Sequence, residues 1–255
     1  RLIAEGHEVK TYVKLPDHRE IGAGILTVVP NWQSYLSWAD YWIADSNCFG
    51  KECDQLRKMK KKVFGGNPET DRTESDRAFG LSILENYGIN CGVWAGPFTA
   101  DKAIAFITEN TQRWVIKPNG SLDKDLTYVS KDAKDALDFL NEHKSEYKGE
   151  LIVQEFVDDA KELAIGATFQ KGKMLLPVRE NIEHKNLSNG NLGVATGEMG
   201  TIVHYTNYSP LLDALESLAP WFEEQEYTGD FDLNFMIQQD GTPICLETTA
   251  RPGYP

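Results

Sequence analysis

The segment YTGDFDLNFMIQQDGTPICLETTARPGY, residues Tyr227 to Tyr254, predicts two β-strands joined by a tight hairpin turn at Asp240-Gly241. Successive side chains of a strand point to opposite faces of the sheet. The first strand therefore has one polar and one apolar face. The polar face carries Asp230, Asp232, Asn234 and Met236, the apolar face carries Phe231, Leu233, Phe235 and Ile237, and in the return strand Glu247 and Thr249 alternate with Leu246 and Thr248.

Two interpretations of this hairpin stay open when it is taken alone. A row of oxygen donors suits a hard cation, and Mg²⁺ that carries nucleotide phosphates takes one or two carboxylates and keeps several waters. An antiparallel sheet with one face in solvent shows the same alternation without any ligand. The rest of the chain has to decide between them.

The composition excludes several classes of partner. The 255 residues carry 26 basic and 39 acidic side chains, a net charge of −13, which argues against nucleic-acid binding. No apolar stretch approaches the ~20 residues that span a bilayer, so we expect no membrane association.

The four cysteines match no metal spacing and are too few for a disulfide scaffold, which favours the cytoplasm. A monomer and a homodimer both fit. The opening RLIAEGHEVK lacks a signal peptide, and we expect the sequence to be truncated at its start.

The order of predicted elements indicates α/β alternation first and mixed α+β structure later. No Gly-rich strand turn is present, so we predict no dinucleotide cofactor. Apolar periodicity predicts helices over 74–89, 99–109, 133–143 and 210–222, and the segment 31–39 fits a short helix. A hairpin is predicted with its turn at Lys171-Gly172, followed by a long polar loop over 186–200.

Two strand ends could face a nucleotide. Lys117 ends the strand RWVIKP, where a lysine is either a solvated side chain or a point-charge partner for phosphate. The strand LIVQEFV leads into Gln154, Glu155 and Phe156, with Glu162 following. Such a segment could hold adenine through backbone groups and ribose through Glu162, or it could be an ordinary edge strand.

The sequence of these elements resembles the ATP-grasp fold, in which two α+β lobes close on a nucleotide. Within it the chain resembles the phosphoribosylamine–glycine ligase (glycinamide ribonucleotide synthetase) family. KVFGGNPETDRTESDRAF matches the family's K-[IV]-F-G … E-G-S-K-A-F segment. EHKNLSNGNLGVATGEMG matches the D-H-K-R … D-x-D-x-G-P-N-T-G-G-M-G loop in length, and ETTARPG matches E-F-N-C-R-F-G.

The resemblance implies a domain order. Residues 1–66 would form an incomplete N-terminal Rossmann-like domain with a parallel sheet, and 67–112 a helical linker part of the ATP-grasp fold. Residues 113–157 would form the small lid lobe. Residues 158–255 would form the large lobe, with the substrate loop and the metal-binding hairpin.

The resemblance also implies site residues, with ATP and Mg²⁺ (or Mn²⁺) as cofactors. The ATP-binding set would be Arg77, Lys117, Lys124, Gln154, Glu155, Phe156, Val157 and Glu162. The metal ligands would be Glu247, Asn234, Asp232 and Thr249. Arg251, Lys185 and His184 would be catalytic, and Asn191, Thr196, Gly197 and Met199 would lie in the substrate loop.

The implied activity is an ATP-dependent carboxylate–amine ligase of the purine-biosynthesis type that works through an acyl phosphate on small-molecule substrates. The sequence departs from the family at three places. The phosphate-covering loop NGSLDKDLTYV keeps only Gly120, Thr249 replaces a metal-binding Asn, and the substrate loop has Asn186, Asn189 and Asn191 where the family has Arg and two Asp. These departures leave two hypotheses, a ligase with an altered substrate and a catalytically weakened nucleotide- or ligand-binding relative.

Overall fold

The computed structural model describes residues 2–120 and 126–253 and divides into two compact units, residues 1–42 and 43–255. In the first unit, 3₁₀ turns cover Ile3–Glu5, Pro16–His18 and Gln33–Tyr35. Strands β1 (Thr11–Tyr12) and β2 (Val28–Val29) pair in parallel. The predicted helix over 31–39 is therefore only a single 3₁₀ turn. Strand β3 (Tyr41–Ile43) crosses the division between the units.

The second unit holds seven α-helices among its described residues: α1 (Gly50–Lys58), α2 (Pro68–Ser75), α3 (Arg77–Asn86), α4 (Ala100–Glu109), α5 (Ala133–His143), α6 (Leu212–Ser217) and α7 (Ala219–Glu224). Its strands are β4 (Lys62–Phe64), β5 (Trp94–Phe98), β6 (Trp114–Pro118), β7 (Tyr128–Val129), β8 (Leu151–Glu155), β9 (Lys161–Gln170), β10 (Lys173–Ser188), β11 (Leu192–Thr206), β12 (Gly229–Ile237) and β13 (Pro243–Thr249). No helix of the described residues has the length and apolar character to cross a membrane.

A small sheet of order β5-β8-β6-β7 carries the predicted phosphate lysine and the hinge strand. Helices α4 and α5 pack against it and close a core. Its fully buried members include Ile107, Trp114, Ile116, Leu140, Leu151 and Val153. Lys117 lies between two buried residues of β6, so the strand fixes the position at which its side chain leaves the sheet.

A larger antiparallel sheet of order β11-β10-β9-β12-β13 carries the hairpin of residues 227–254. One face is covered by α6 and α7, where Phe222 packs against Phe169 at 4.0 Å between ring centroids and against Phe231 at 4.9 Å. Phe231, Leu233 and Phe235 are buried in this core, as predicted. The opposite face therefore carries the alternate residues of each strand.

Further predicted elements are corrected by the fold, and the helix predicted over 210–222 is divided into α6 and α7. The helix predicted over 74–89 is broken, because Asp76 adopts an extended conformation and caps α3 by accepting a hydrogen bond from the Phe79 N–H at 3.1 Å. Phe79 is only partly buried and lies under the Arg72 guanidinium. The polar loop predicted over 186–200 is wrong, since β10 runs to Ser188 and β11 begins at Leu192.

Candidate functional site

The 227–254 segment forms two antiparallel strands, as predicted. Asn234 pairs with Glu247 and Asp232 pairs with Thr249 across β12 and β13, so the four candidate metal ligands share one face of the sheet. The connection is longer than the predicted two-residue turn, because the strands end at Ile237 and restart at Pro243. A register shift next to Asn234 leaves Leu246 as an extra residue in β13.

Glu247 lies at the centre of a cationic cluster. Its Oε2 accepts a hydrogen bond from Arg77 Nη1 at 2.6 Å, with side-chain exposures of 37% for Glu247 and 16% for Arg77. Burial resists ionisation of this carboxyl, but the positive charges of Arg77, Lys117 and Lys185 outweigh it and lower the pKa to about 2. Glu247 is therefore an anion at any physiological pH, held among three cations.

Lys117 reaches the same cluster from the small sheet. Its Nζ donates to Gln154 Oε1 at 2.7 Å, and Gln154 Nε2 donates in turn to the Cys91 carbonyl at 3.3 Å. Burial lowers the pKa of Lys117 to about 8, and the neighbouring carboxylate of Glu247 only partly offsets that effect. The lysine therefore has an unusually labile proton for a side chain predicted to bind phosphate.

Lys185 is the third cation and comes from β10. It forms ion pairs with Glu162 and, at 3.4 Å, with Glu183. Burial disfavours its charge, but Glu162 and Glu247 outweigh that effect and raise its pKa. Glu162, the predicted ribose ligand, is thus ion-paired with Lys185 in this structure. No described contact joins His184 to this cluster. Its Nε2 hydrogen-bonds the Ser188 carbonyl within its own hairpin.

Within the described part of the substrate loop, Thr196 contacts this cluster. Thr196 Oγ1 donates to the Lys185 carbonyl at 2.6 Å, while Met199 is exposed. Lys124 lies outside the described residues, and so do the side chain of Asn191 and the surroundings of Gly197.

The predicted adenine hinge has two of its three backbone amides already engaged. Glu155 N–H donates to the Val93 carbonyl at 2.8 Å, and Phe156 N–H donates to the Arg113 carbonyl at 3.0 Å. The Arg113 guanidinium lies 3.4 Å from the centroid of the Phe156 ring, so one face of that ring is covered by protein. Val157 N–H is the remaining candidate donor for an adenine nitrogen.

Asp232 is engaged by an arginine that the sequence analysis did not single out. Arg179 donates to Asp232 Oδ1 at 3.0 Å and to Asp230 Oδ1 at 3.1 Å. Burial raises the pKa of Asp232 to about 6 despite the charge of Arg179. Gly166 opposite has no room for a side chain, because a Cβ there would lie 1.6 Å from Asp232 Oδ1. The role of Asp232 as a metal ligand stays a prediction, and Arg179 is its observed partner.

Arg251 is held by a second residue that sequence reasoning missed. Its Nε and Nη2 donate to Glu74 Oε1 at 3.2 and 3.1 Å, and the two side chains are only 14% and 12% exposed. Glu74 lies in α2, 177 positions from Arg251. The available signal was the motif itself, since Glu74 stands at the first position of the matched E-G-S-K-A-F segment, although nothing in the sequence shows that it pairs with Arg251.

The hairpin offers only a few oxygen ligands for a magnesium ion. No group of three or more His, Cys, Asp or Glu in the described part of the chain could hold a metal ion. Glu247 and the amide oxygen of Asn234 are adjacent on one face, however, and Mg²⁺ in nucleotide sites needs only one or two carboxylates because waters and phosphates complete its shell. One acid and one amide therefore suffice for that type of site.

The two sheets and the charged cluster that they share define an ATP-grasp protein. The solved structure of a phosphoribosylamine–glycine ligase from Thermotoga maritima matches with a TM-score of 0.69 at 21% identity, over 98% of this chain and 64% of that one. An N5-carboxyaminoimidazole synthetase from Staphylococcus aureus matches with a TM-score of 0.66 at 15% identity, over 99% and 66%. At these identities the likeness shows the fold.

The family is shown by the sequence comparison. Residues 75–255 match the family model described as phosphoribosylglycinamide synthetase, ATP-grasp (A) domain, and the chain belongs to that family. A phosphoribosylamine–glycine ligase from Lactococcus lactis is 27% identical over 217 residues, and one from Halalkalibacterium halodurans is 26% identical over 214. Each alignment covers 79% of this chain and 50% of the relative, so the chain spans about half the length of these curated relatives.

Proposed function

We propose that the protein is an ATP-dependent ligase that joins a small carboxylate to an amine. The observation that carries this proposal is the convergence of Arg77, Lys117 and Lys185 on Glu247, which supplies positive charge for a triphosphate and one carboxylate for its metal. The family match and the fold support the same reading.

The chemistry needs positioning and charge neutralisation rather than a nucleophilic side chain. A carboxylate oxygen of the substrate attacks the γ-phosphorus of ATP, and the bond to the β–γ bridging oxygen breaks to release ADP. The amine nitrogen then attacks the acyl carbon, phosphate leaves with the bonding electrons, and the amine loses a proton. The product is an amide.

Individual residues take distinct parts in this scheme. Lys117 and Arg77 bind phosphate oxygens, while Glu247 and Asn234 hold Mg²⁺, which supplies charge neutralisation when bound. Arg77 then has to exchange its contact with Glu247 for one with phosphate. Arg251 faces the transferring phosphoryl group, and its positive charge stabilises the charge that develops there.

The substrates that we propose for this chain differ from those of its relatives. Their names identify phosphoribosylamine and glycine as the amine and carboxylate. The neutral Asn186, Asn189 and Asn191 of this loop favour an acceptor with less charge than an aminosugar phosphate. The four free cysteines fit the reducing cytoplasm in which we place the reaction.

A weakened nucleotide-binding protein is the second candidate, favoured by one observation. Glu247 and Glu162 are both paired with cations of the protein, so metal and ribose must each displace an existing ion pair. This function predicts ATP binding without turnover.

The deciding experiment measures ADP and phosphate release from the full chain with Mg-ATP and a panel of small carboxylates and amines. The ligase proposal expects release that needs both substrates and is lost in Glu247→Ala but kept in the matched Glu224→Ala, whose side chain is exposed on α7. ATP binding by calorimetry without release across the whole panel would favour the second candidate. Absence of both would refute the two proposals together.

A further inference from the structure

The segment of residues 74–77, which joins α2 to α3, and the end of the hairpin carry complementary charges in crossed order. Glu74 pairs with Arg251, while Arg77 pairs with Glu247, so each segment gives one acid and one base to the other. A small cavity of about 10 Å³ is lined by members of both pairs, among them Glu74, Arg77 and Glu247. The two ion pairs therefore connect the same strand end to the junction between α2 and α3.

The two pairs have different fates when nucleotide binds. Under the proposed function, Glu247 must be released from Arg77 to hold the metal, so the first pair opens. The second pair has no such conflict, because Glu74 is assigned to no ligand and binds Arg251 through Nε and Nη2 while Arg251 meets the phosphoryl group. Glu74 also binds the backbone, since its Oε2 accepts from the Ala250 N–H at 3.4 Å while its Oε1 accepts twice from Arg251.

We propose that Glu74 is a positioning residue for Arg251. The Glu74 carboxylate binds the Arg251 guanidinium and the backbone N–H that precedes it, and thereby holds Arg251 where it meets the transferring phosphoryl group. The carboxylate engages two nitrogens of the guanidinium plane, which fixes the orientation of that plane as a single contact would not. Both side chains are largely buried, so water does not compete for the contact.

This inference rests on the proposed function, and a kinetic cycle tests it. Glu74→Gln keeps the shape of the side chain but removes its charge, and a misplaced arginine predicts a fall in kcat of about 10²-fold with little change in KM for ATP. In an Arg251→Ala background, Glu74→Gln should have no further effect, because residues that act through one group are not additive. An equal fall in both backgrounds would overturn the proposal. Glu69→Gln, on the same helix, is the matched control and should leave kcat unchanged.

A second measurement does not depend on turnover. Phenylglyoxal modifies accessible arginines, and peptide mapping by mass spectrometry gives the rate at Arg251. Release from a charge-assisted contact should raise that rate about tenfold in Glu74→Gln and not in Glu69→Gln. Unchanged rates at Arg251 would refute the contact itself. The parent protein could show no turnover while phenylglyoxal modifies Arg251 faster in Glu74→Gln. That result would refute the ligase proposal but keep the placement of Arg251 by Glu74.

Discussion

Nucleotide binding by this protein should weaken sharply above pH 8, because Lys117 loses its proton there. Burial lowers the pKa of Lys117 to about 8 in the free protein, against an ordinary value of 10.5. Phosphate prefers the charged form, so affinity is present below this pKa and is lost as the pH rises through it. A lysine with its ordinary pKa would stay almost fully charged up to pH 9.

The magnitude follows from the fraction of Lys117 that carries a proton. With a pKa of about 8, that fraction falls from roughly nine-tenths at pH 7 to roughly one-tenth at pH 9. The Kd for ADP should therefore rise about tenfold over this range, which corresponds to about 1.4 kcal/mol. At pH 8, binding should take up about half a proton per nucleotide, since the bound lysine is fully protonated.

Isothermal titration calorimetry measures both quantities. ADP is titrated at pH 7, 8 and 9, and proton uptake is obtained from two buffers with different ionisation enthalpies. Lys117→Arg is the control, because arginine keeps its charge throughout and removes the dependence that belongs to this side chain. A constant Kd in the parent, or an equal rise in Lys117→Arg, would show that Lys117 is not the titrating phosphate ligand.

Two further predictions concern stability. Burial raises the pKa of Asp71, which accepts from the Gly50 N–H at 2.6 Å, from 3.8 to about 6. The folded protein thus binds a proton more tightly than the unfolded chain, so its free energy of unfolding should increase as the pH falls from 7 to 5. Asp71→Asn should raise the free energy of unfolding at pH 7 by up to about 3 kcal/mol, measured by urea unfolding. Gly166→Ala should displace Asp232 from Arg179 and cost about 3–5 kcal/mol, because it breaks a buried ion pair.

Each stability prediction has its own control. A Cβ at Gly200 meets nothing within 4 Å, so Gly200→Ala should change the free energy of unfolding far less than Gly166→Ala. Equal losses would mean that crowding at Asp232 is not the cause. For Asp71, a variant with the same pH dependence as the parent would assign that dependence to another group, such as Asp232, whose pKa is also raised to about 6.

The parts of the fold that sequence could predict are those with a strong local signal. Helix α5 begins and ends where predicted, at Ala133 and His143, because its apolar spacing and the Asp132 cap are both local. The two faces of β12 followed from strict alternation over its nine residues. Alternation is decisive there, since a slip by one residue would put Phe231 and Leu233 in solvent.

The parts that could not be predicted depend on contacts between distant residues. Glu74 stands in a matched motif and Arg179 in an ordinary strand, but the sequence shows neither pairing until the fold places Arg251 and Asp232 beside them. The 186–200 segment is rich in Asn and Gly, which favour turns, but pairing between β10 and β11 overrides that local preference. The candidate site was found through its motif residues, and their partners were visible only in three dimensions.

The hydrogen bonds of Gln154 give the small sheet a property of its own. One end of this amide holds the Lys117 ammonium, and the other end holds the Cys91 carbonyl. Gln154 also precedes the hinge residues Glu155, at which β8 ends, and Phe156. Gln154 thus joins the predicted phosphate ligand Lys117 to the strand that leads into the predicted adenine hinge. A nucleotide that engaged both would act on one short segment of β8, so its base and its phosphates would each help to set the geometry that the other meets.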